Sequence, residues 1–126
     1  MSDLPLTSVS CDGFQATPTH EGSRLTLQFA GSGDLRAVTL LSDFLKQVHV
    51  EARRLDVSEV CCDLQRLTFM NSSCFKSFVV WIDTVKNSAP PYQIRFLTSS
   101  QLHWQRRSLE ALRRLAASVV SIETVA

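Results

Sequence analysis

Hydrophobic and polar residues alternate in the first third of the chain, which is the pattern of strands that bury one face. In SRLTLQFAG, residues Leu25, Leu27 and Phe29 alternate with more polar neighbours, and glycine-containing segments bound the stretch on both sides. The preceding segment, LTSVSCDGFQAT, alternates more weakly and is interpreted as an edge strand. Together the two segments predict an N-terminal β-hairpin.

Two further patterns follow along the chain. From Val38 to Leu55, apolar residues recur at steps of three and four, which predicts one face of an amphipathic helix. The segment SEVCCDL, residues 58–64, is apolar without alternation. Such a run is typical of a central strand covered on both faces, so we expect this segment to be buried in the middle of a sheet.

After the sequence Asn-Ser-Ser, helical spacing returns and predicts a helix over residues 72–87, packed on the sheet. YQIRFLT predicts a strand, Ser99 or Ser100 is expected to cap a third helix, and SVVSIETV predicts a last strand. The predicted order is ββαβαβαβ. Because helical crossovers join parallel strands, the fold class is α/β, with a mixed, mostly parallel sheet, an N-terminal hairpin and helices packed on it.

Length and charge narrow the classes of function. A chain of 126 residues predicts a single domain over residues 1–126. A formal net charge of +1 offers no electrostatic case for nucleic acid or for a membrane surface. No apolar run approaches the roughly 18 residues of a membrane span, and the start, MSDLPLTSVS, lacks the features of a secretory signal. We therefore expect a cytoplasmic domain without membrane insertion or a nucleic-acid partner.

The residues that could carry metal or cofactor chemistry are scattered. The four cysteines include no C-x-x-C pair and are interpreted as buried thiols of a reducing compartment, namely Cys11, Cys61, Cys62 and Cys74. The three histidines lie in different predicted elements, and the GSGD sequence at 31–34 lacks the ending of a phosphate-binding loop. The sequence thus predicts no metal site and no cofactor.

The sequence Asn71-Ser72-Ser73 allows two interpretations. Asn and Ser are the preferred N-caps of helices, so one of Asn71 or Ser72 is expected to cap the helix. An exposed hydroxyl at a helix N-terminus is also well placed for phosphorylation, because the free N–H groups and the helix dipole tolerate a dianion. Ser72 and Cys74 could alternatively serve an enzyme at the end of a strand. Neither has a histidine or a paired acid nearby in sequence, so we expect no catalysis.

The stretch VCCDLQRLTFMNSSCFKSFVVWI resembles the signature of STAS domains, the fold of bacterial anti-sigma-factor antagonists. In that family a strand leads into apolar-Asp-Ser-Ser/Thr-Gly, and a helix begins there. The predicted element order matches the family over nearly the whole chain, and residues 31–34 resemble its Gly-x-x-Asp. The resemblance implies a non-enzymatic regulatory module for protein–protein interaction. Its phosphorylated serine would be Ser72, with Ser73 as the second candidate.

The resemblance also implies partners. A partner-switching serine kinase of the anti-sigma type would modify the serine, and a phosphatase would reverse the modification. The predicted partner-binding residues are Asp34, Asn71, Ser72, Ser73, Cys74, Ser77 and Trp81.

Two positions depart from the family pattern. Asn71 stands where the family has Asp, so it can cap the helix but brings no charge. Cys74 stands where the family has Gly, and we expect its side chain on the surface that the kinase approaches. Trp81 is either a half-buried core residue or an aromatic anchor in a protein interface. A STAS-like scaffold that is not phosphorylated, or a transporter-accessory subunit, stays open as the alternative function.

Overall fold

The computed structural model describes residues 6–125. The strands in this part are β1 (Val9–Cys11), β2 (Phe14–Glu21), β3 (Arg24–Gly33), β4 (Glu59–Met70), β5 (Gln93–Ser99) and β6 (Val120–Val125). The α-helices are α1 (Val38–Arg54), α2 (Ser72–Lys86) and α3 (His103–Leu115), and a short 3-10 helix, Leu35–Ala37, precedes α1. The predicted single domain, residues 1–126, includes residues that lie outside the described range. The prediction that the start is not a secretory signal also concerns residues outside that range.

All the strands belong to one sheet whose spatial order follows the chain, from β1 to β6. The pairs β1–β2 and β2–β3 are antiparallel, and β3, β4, β5 and β6 run parallel to one another. The α/β class, the mixed sheet and the N-terminal hairpin are thereby confirmed. So are the helix at 72–87, which the structure gives as α2, and the central position of residues 58–64 in β4.

The N-terminal segment contains one strand more than the predicted order. The chain reverses at Asp12 and Gly13, where Cys11 pairs with Phe14 and Gly13 has φ of 77°. Asp-Gly between two β segments is a strong hairpin signal, and it divides the expected edge strand into β1 and β2. β1 is therefore the edge of the sheet.

The core lies on one face of the sheet. In β3, β4 and β5, Leu27, Cys62 and Phe96 stand side by side in register, all of them buried against the helices. Each crossover advances one strand in the same direction, and right-handed crossovers then place all three α-helices on the same face. Buried residues of α1, α2 and α3 accordingly join one hydrophobic cluster.

The prediction that residues 58–64 are buried on both faces is confirmed at Cys61 and Cys62, although helices cover only one of the two faces. Cys61 points to the face without helices and is outside the main core, yet it is only 3% exposed. Side chains of the sheet itself bury it. On this face Arg24 Nε lies 2.9 Å and Arg95 Nη2 lies 3.2 Å from the two carboxylate oxygens of Glu59. The apolar run in the sequence therefore indicated a central strand correctly. It does not indicate a second layer of helices on the other face of the sheet.

The start of α3 also differs from the prediction. Leu102 occupies the N-cap position without a side-chain cap, and the Ser99 hydroxyl instead accepts a hydrogen bond from the Gln101 N–H (3.1 Å). Gln105 is fully buried. Its Nε2 donates to the carbonyls of Leu64 (2.6 Å) and Leu67 (2.9 Å), which belong to the part of β4 that extends past its pairing with β5.

Candidate functional site

The parallel strands β3 and β4 end side by side, with Gly33 paired to Met70. The Asn71 N–H donates to the Gly33 carbonyl at 2.8 Å, so the chain entering α2 is tied to the chain leaving β3. Asp34, Asn71, Ser72 and Ser73 therefore share one edge of the molecule, which we call the Ser72 surface. Sequence reasoning had grouped these four residues, and the topology brings them together.

Asn71 is the N-cap of α2. Its backbone is extended, with φ −77° and ψ 171°, and its side-chain oxygen accepts a hydrogen bond from the Cys74 N–H at 2.8 Å. Its carbonyl accepts the first helical hydrogen bond, from the Phe75 N–H (3.0 Å). The cap is thus an Asn oxygen, and the serine hydroxyls that follow are not used for it.

The two candidate serines differ in exposure. Ser72 is the first residue of α2 and is exposed to solvent. Ser73 is half-buried and lines a groove between α2 and α1. In the first turn of a helix the backbone N–H groups have no helical partner, so both serines lie where an anion is favoured electrostatically.

Asp34 forms an ion pair at this edge. Its carboxylate caps the short 3-10 helix by accepting from the Arg36 N–H at 3.0 Å, and its Oδ2 lies 3.0 Å from Arg36 Nη2. The hydrogen bond from the Arg36 side chain is the main reason that the pKa of Asp34 is lowered. Arg36 also lies 3.3 Å from Asp12 in the β1–β2 turn. The Asp34 charge is therefore balanced within the chain itself.

Cys74 does not lie on the surface, and that expectation is wrong. Its side chain is fully buried beneath the edge, where the thiol donates to the Asp34 carbonyl at 3.5 Å. Burial is the main cause that raises its pKa to about 11. Position 74 falls on the inward side of the first turn, so a cysteine there replaces the family's glycine without obstructing an approaching partner.

Ser77 and Trp81 lie further along α2, where together with Ser73 they line the groove between α2 and α1. The Ser77 hydroxyl is 2.7 Å from the Ser42 hydroxyl of α1, so it joins the two helices. Trp81 is 4% exposed, and its Nε1–H donates to the Tyr92 hydroxyl at 3.1 Å. Its burial fits the core interpretation rather than that of a protruding anchor.

Comparison with protein-family models and with curated protein sequences finds no match. Solved structures do match. An anti-sigma factor antagonist from Mycobacterium paratuberculosis superposes with a TM-score of 0.66 at 11% identity, covering 84% of this chain and 85% of that one. The Bacillus cell fate determinant SpoIIAA in its phosphorylated form gives 0.57 at 16% identity, covering 88% of this chain and 91% of the other.

The chain has the fold of the anti-sigma-factor antagonists. The STAS-like fold predicted from the sequence is confirmed, and at these identities the likeness concerns the fold alone. Within residues 6–125, no group of three or more His, Cys, Asp or Glu side chains could hold a metal ion. No helix in the described part has both the length and the apolar character needed to cross a membrane.

Three residues at the Ser72 surface were missed by sequence reasoning. Leu35 is 74% exposed and Phe69 is 50% exposed, although both are large apolar side chains. Arg36 is also exposed. Each lies within three residues of Asp34 or Ser72, at the same edge of this STAS-like fold. The sequence indicates these three residues only by their position, next to the ends of β3 and β4, which were predicted to be parallel neighbours.

Proposed function

We propose that this protein is a regulatory module that acts by protein–protein contact, as a partner-switching component resembling anti-sigma-factor antagonists. The observation that carries the proposal is an exposed serine, Ser72, at the first position of α2 in a STAS-like fold. The partners we propose are a serine kinase of the anti-sigma type and a phosphatase. We place the module in the cytoplasm, in keeping with its four free cysteines.

The proposed switch is phosphorylation of Ser72, with Ser73 as the alternative acceptor. Ser72 is favoured because it is exposed, whereas Ser73 is half-buried beside α1. A phosphoryl group adds about −1.5 to −2 charges at neutral pH. If a partner buried that charge without supplying a cation, the effective desolvation penalty would be several kcal/mol. A micromolar contact has a binding free energy of about 8 kcal/mol in magnitude. Losing several kcal/mol of it would raise the dissociation constant far above the micromolar range.

The unmodified surface has the composition of a contact patch. Leu35 and Phe69 offer exposed apolar area, and Asn71 and Ser72 offer neutral polar groups at the same edge. Protein interfaces combine such apolar centres with a polar rim. We therefore include Leu35 and Phe69 in the proposed contact, and we leave out Cys74 because its side chain is buried.

We propose that the protein acts without catalysis. Two side chains at this edge could serve as nucleophiles, Ser72 and Cys74. The Cys74 thiol is fully buried, and its pKa is raised to about 11, whereas a catalytic thiol needs a lowered pKa and access to substrate. Ser72 would need a base, and His49 already has its Nδ1 engaged by Tyr92 at 2.8 Å.

The experiment uses a serine kinase captured with this protein by pull-down from the native cytoplasm. After incubation with kinase and ATP, intact-mass analysis is expected to show one added phosphate, which Ser72→Ala abolishes. Ser72→Asp is expected to weaken partner binding at least tenfold, measured by calorimetry. Ser118→Asp is the matched control, because Ser118 is exposed and precedes β6, at the opposite end of the strands.

Two results would contradict the switch. One is the absence of phosphate on Ser72 and Ser73 after incubation with an active kinase. The other is partner binding that Ser72→Asp leaves unchanged. Together they would favour the alternative of a STAS-like scaffold that is not phosphorylated. Capture of a membrane transporter in place of a kinase would favour the transporter-accessory role.

A further inference from the structure

A groove of about 540 Å³ runs between α1 and α2 on the outer side of the helix layer. Both helices follow parallel strands, so they run side by side in the same direction. The Ser42 and Ser77 hydroxyls meet across the groove at 2.7 Å. The groove exists because small side chains occupy facing positions on the two helices, among them Ser42, Ser73 and Ser77.

The deep part of the groove is apolar. Leu45 and Trp81 lie at its floor, only 2% and 4% exposed. Val38 and Val80 add apolar surface higher up, and Val80 is 56% exposed. An apolar cleft of this volume lies within the 300–1,000 Å³ range of small-molecule sites.

The charges that line the groove have one sign. Lys46 of α1 and Lys76 of α2 are both exposed and lie on opposite rims. No Asp or Glu is among the lining residues. Two ammonium groups above an apolar floor match a ligand that has an apolar body and an anionic group.

His49 adds a polar ring to the lining of the groove. The Trp81 indole N–H donates to the Tyr92 oxygen, and the Tyr92 hydroxyl is also hydrogen-bonded to His49 Nδ1 at 2.8 Å. The hydrogen bond to Tyr92 engages Nδ1 of His49, so Nε2 is the ring nitrogen that Tyr92 does not contact. Burial, with a contribution from Arg53, lowers the pKa of His49 and keeps the ring neutral near pH 7.

We infer that the groove between α1 and α2 binds a small amphipathic organic anion, with the apolar body on Leu45 and Trp81 and the anionic group between Lys46 and Lys76. The volume of the groove is that of a small-molecule site, and the two lysines on its rims select for an anion. The inference goes beyond the proposed switch and does not depend on it.

The test follows the two indole N–H signals of the ¹⁵N-labelled protein, because the chain contains two tryptophans. Decanoate, added below its micellar concentration, is expected to shift the Trp81 signal saturably and to leave the Trp104 signal in place, since Trp104 does not line the groove. The signals are assigned with Trp104→Phe. Decyltrimethylammonium, which has the same chain length and the opposite charge, is expected to bind at least tenfold more weakly.

The double substitution Lys46→Glu/Lys76→Glu is expected to raise the dissociation constant of decanoate about tenfold, which corresponds to about 1.4 kcal/mol. Arg106→Glu/Arg107→Glu is the matched control, since it makes the same charge change on the exposed side of α3. Circular dichroism confirms that both variants are folded. The inference is overturned if decanoate does not saturate the Trp81 signal, if the cationic analogue binds equally well, or if both double variants behave alike.

Discussion

The side-chain oxygen of Asn71 accepts a hydrogen bond from the Cys74 N–H at 2.8 Å and so takes the capping role at the start of α2. The two serines between these residues are consequently free of that role. The capping and phosphorylation interpretations of the sequence Asn-Ser-Ser thus apply to different residues, and each can be tested by its own substitution.

Asn71→Ala is expected to lower the free energy of unfolding by about 1 kcal/mol, because the Cys74 N–H loses its acceptor. Ser72→Ala is the control and is expected to change it by no more than about 0.5 kcal/mol, since exposed positions outside such features are tolerant. Urea denaturation followed by circular dichroism measures both. A larger loss from Ser72→Ala than from Asn71→Ala would assign the cap to the serine.

Gln105 supports the part of β4 that extends past its pairing with β5. Gln105→Ala removes the donor to the Leu64 and Leu67 carbonyls and the acceptor for the Ser99 N–H, which is 3.0 Å away. Each buried polar group left unpaired costs about 1–3 kcal/mol, so we expect a loss of about 3 kcal/mol or more in urea denaturation. Gln101→Ala, at an exposed glutamine just before α3, is expected to cost less than about 0.5 kcal/mol. Equal losses would refute the role given to Gln105.

The cysteines are expected to react with a thiol reagent in the order Cys11, Cys61, Cys62. Cys11 is partly exposed. Cys61 lies on the face of the sheet without helices and is shielded only by side chains of the sheet. Cys62 lies between the sheet and the helices, and burial raises the pKa of its thiol well above the usual value. Peptide mass mapping after timed labelling at pH 8 gives the order. Labelling of Cys62 before Cys61 would contradict the single helix layer.

His49 is expected to make stability depend on pH. Burial lowers its pKa in the folded protein below the ordinary 6.5. The unfolded chain then binds the proton more readily, so the free energy of unfolding is unaffected above about 6.5 and falls as the pH drops from there toward the folded value.

Urea denaturation at pH 7 and pH 5 tests this dependence. The unsubstituted protein is expected to lose more stability over that interval than His49→Gln does. Gln47→Ala changes an exposed, non-titrating residue of the same helix and is expected to keep the full dependence. If His49→Gln also keeps it, another group is responsible.

The local pattern of apolar residues was enough to predict the α/β class, the central strand β4 and the helix α2. Apolar residues recur every third or fourth position in α2, whereas β4 was indicated by a short apolar run without alternation. The capping of α2 by Asn71 was among the predicted options, because a cap involves residues only three apart. The STAS-like fold was also accessible, since its signature is one continuous stretch that spans β4 and the start of α2.

The tertiary structure alone decided which side of each element is covered. Cys74 and Trp81 were expected at a partner surface, but the buried stripe of α2 includes both, because α2 packs against α1 as well as the sheet and Trp81 bonds to Tyr92. The bond between His49 and Tyr92 joins residues 43 apart in the chain. The spacing of apolar residues predicts that each element has an apolar stripe, but it holds no information about which distant element packs beside that stripe.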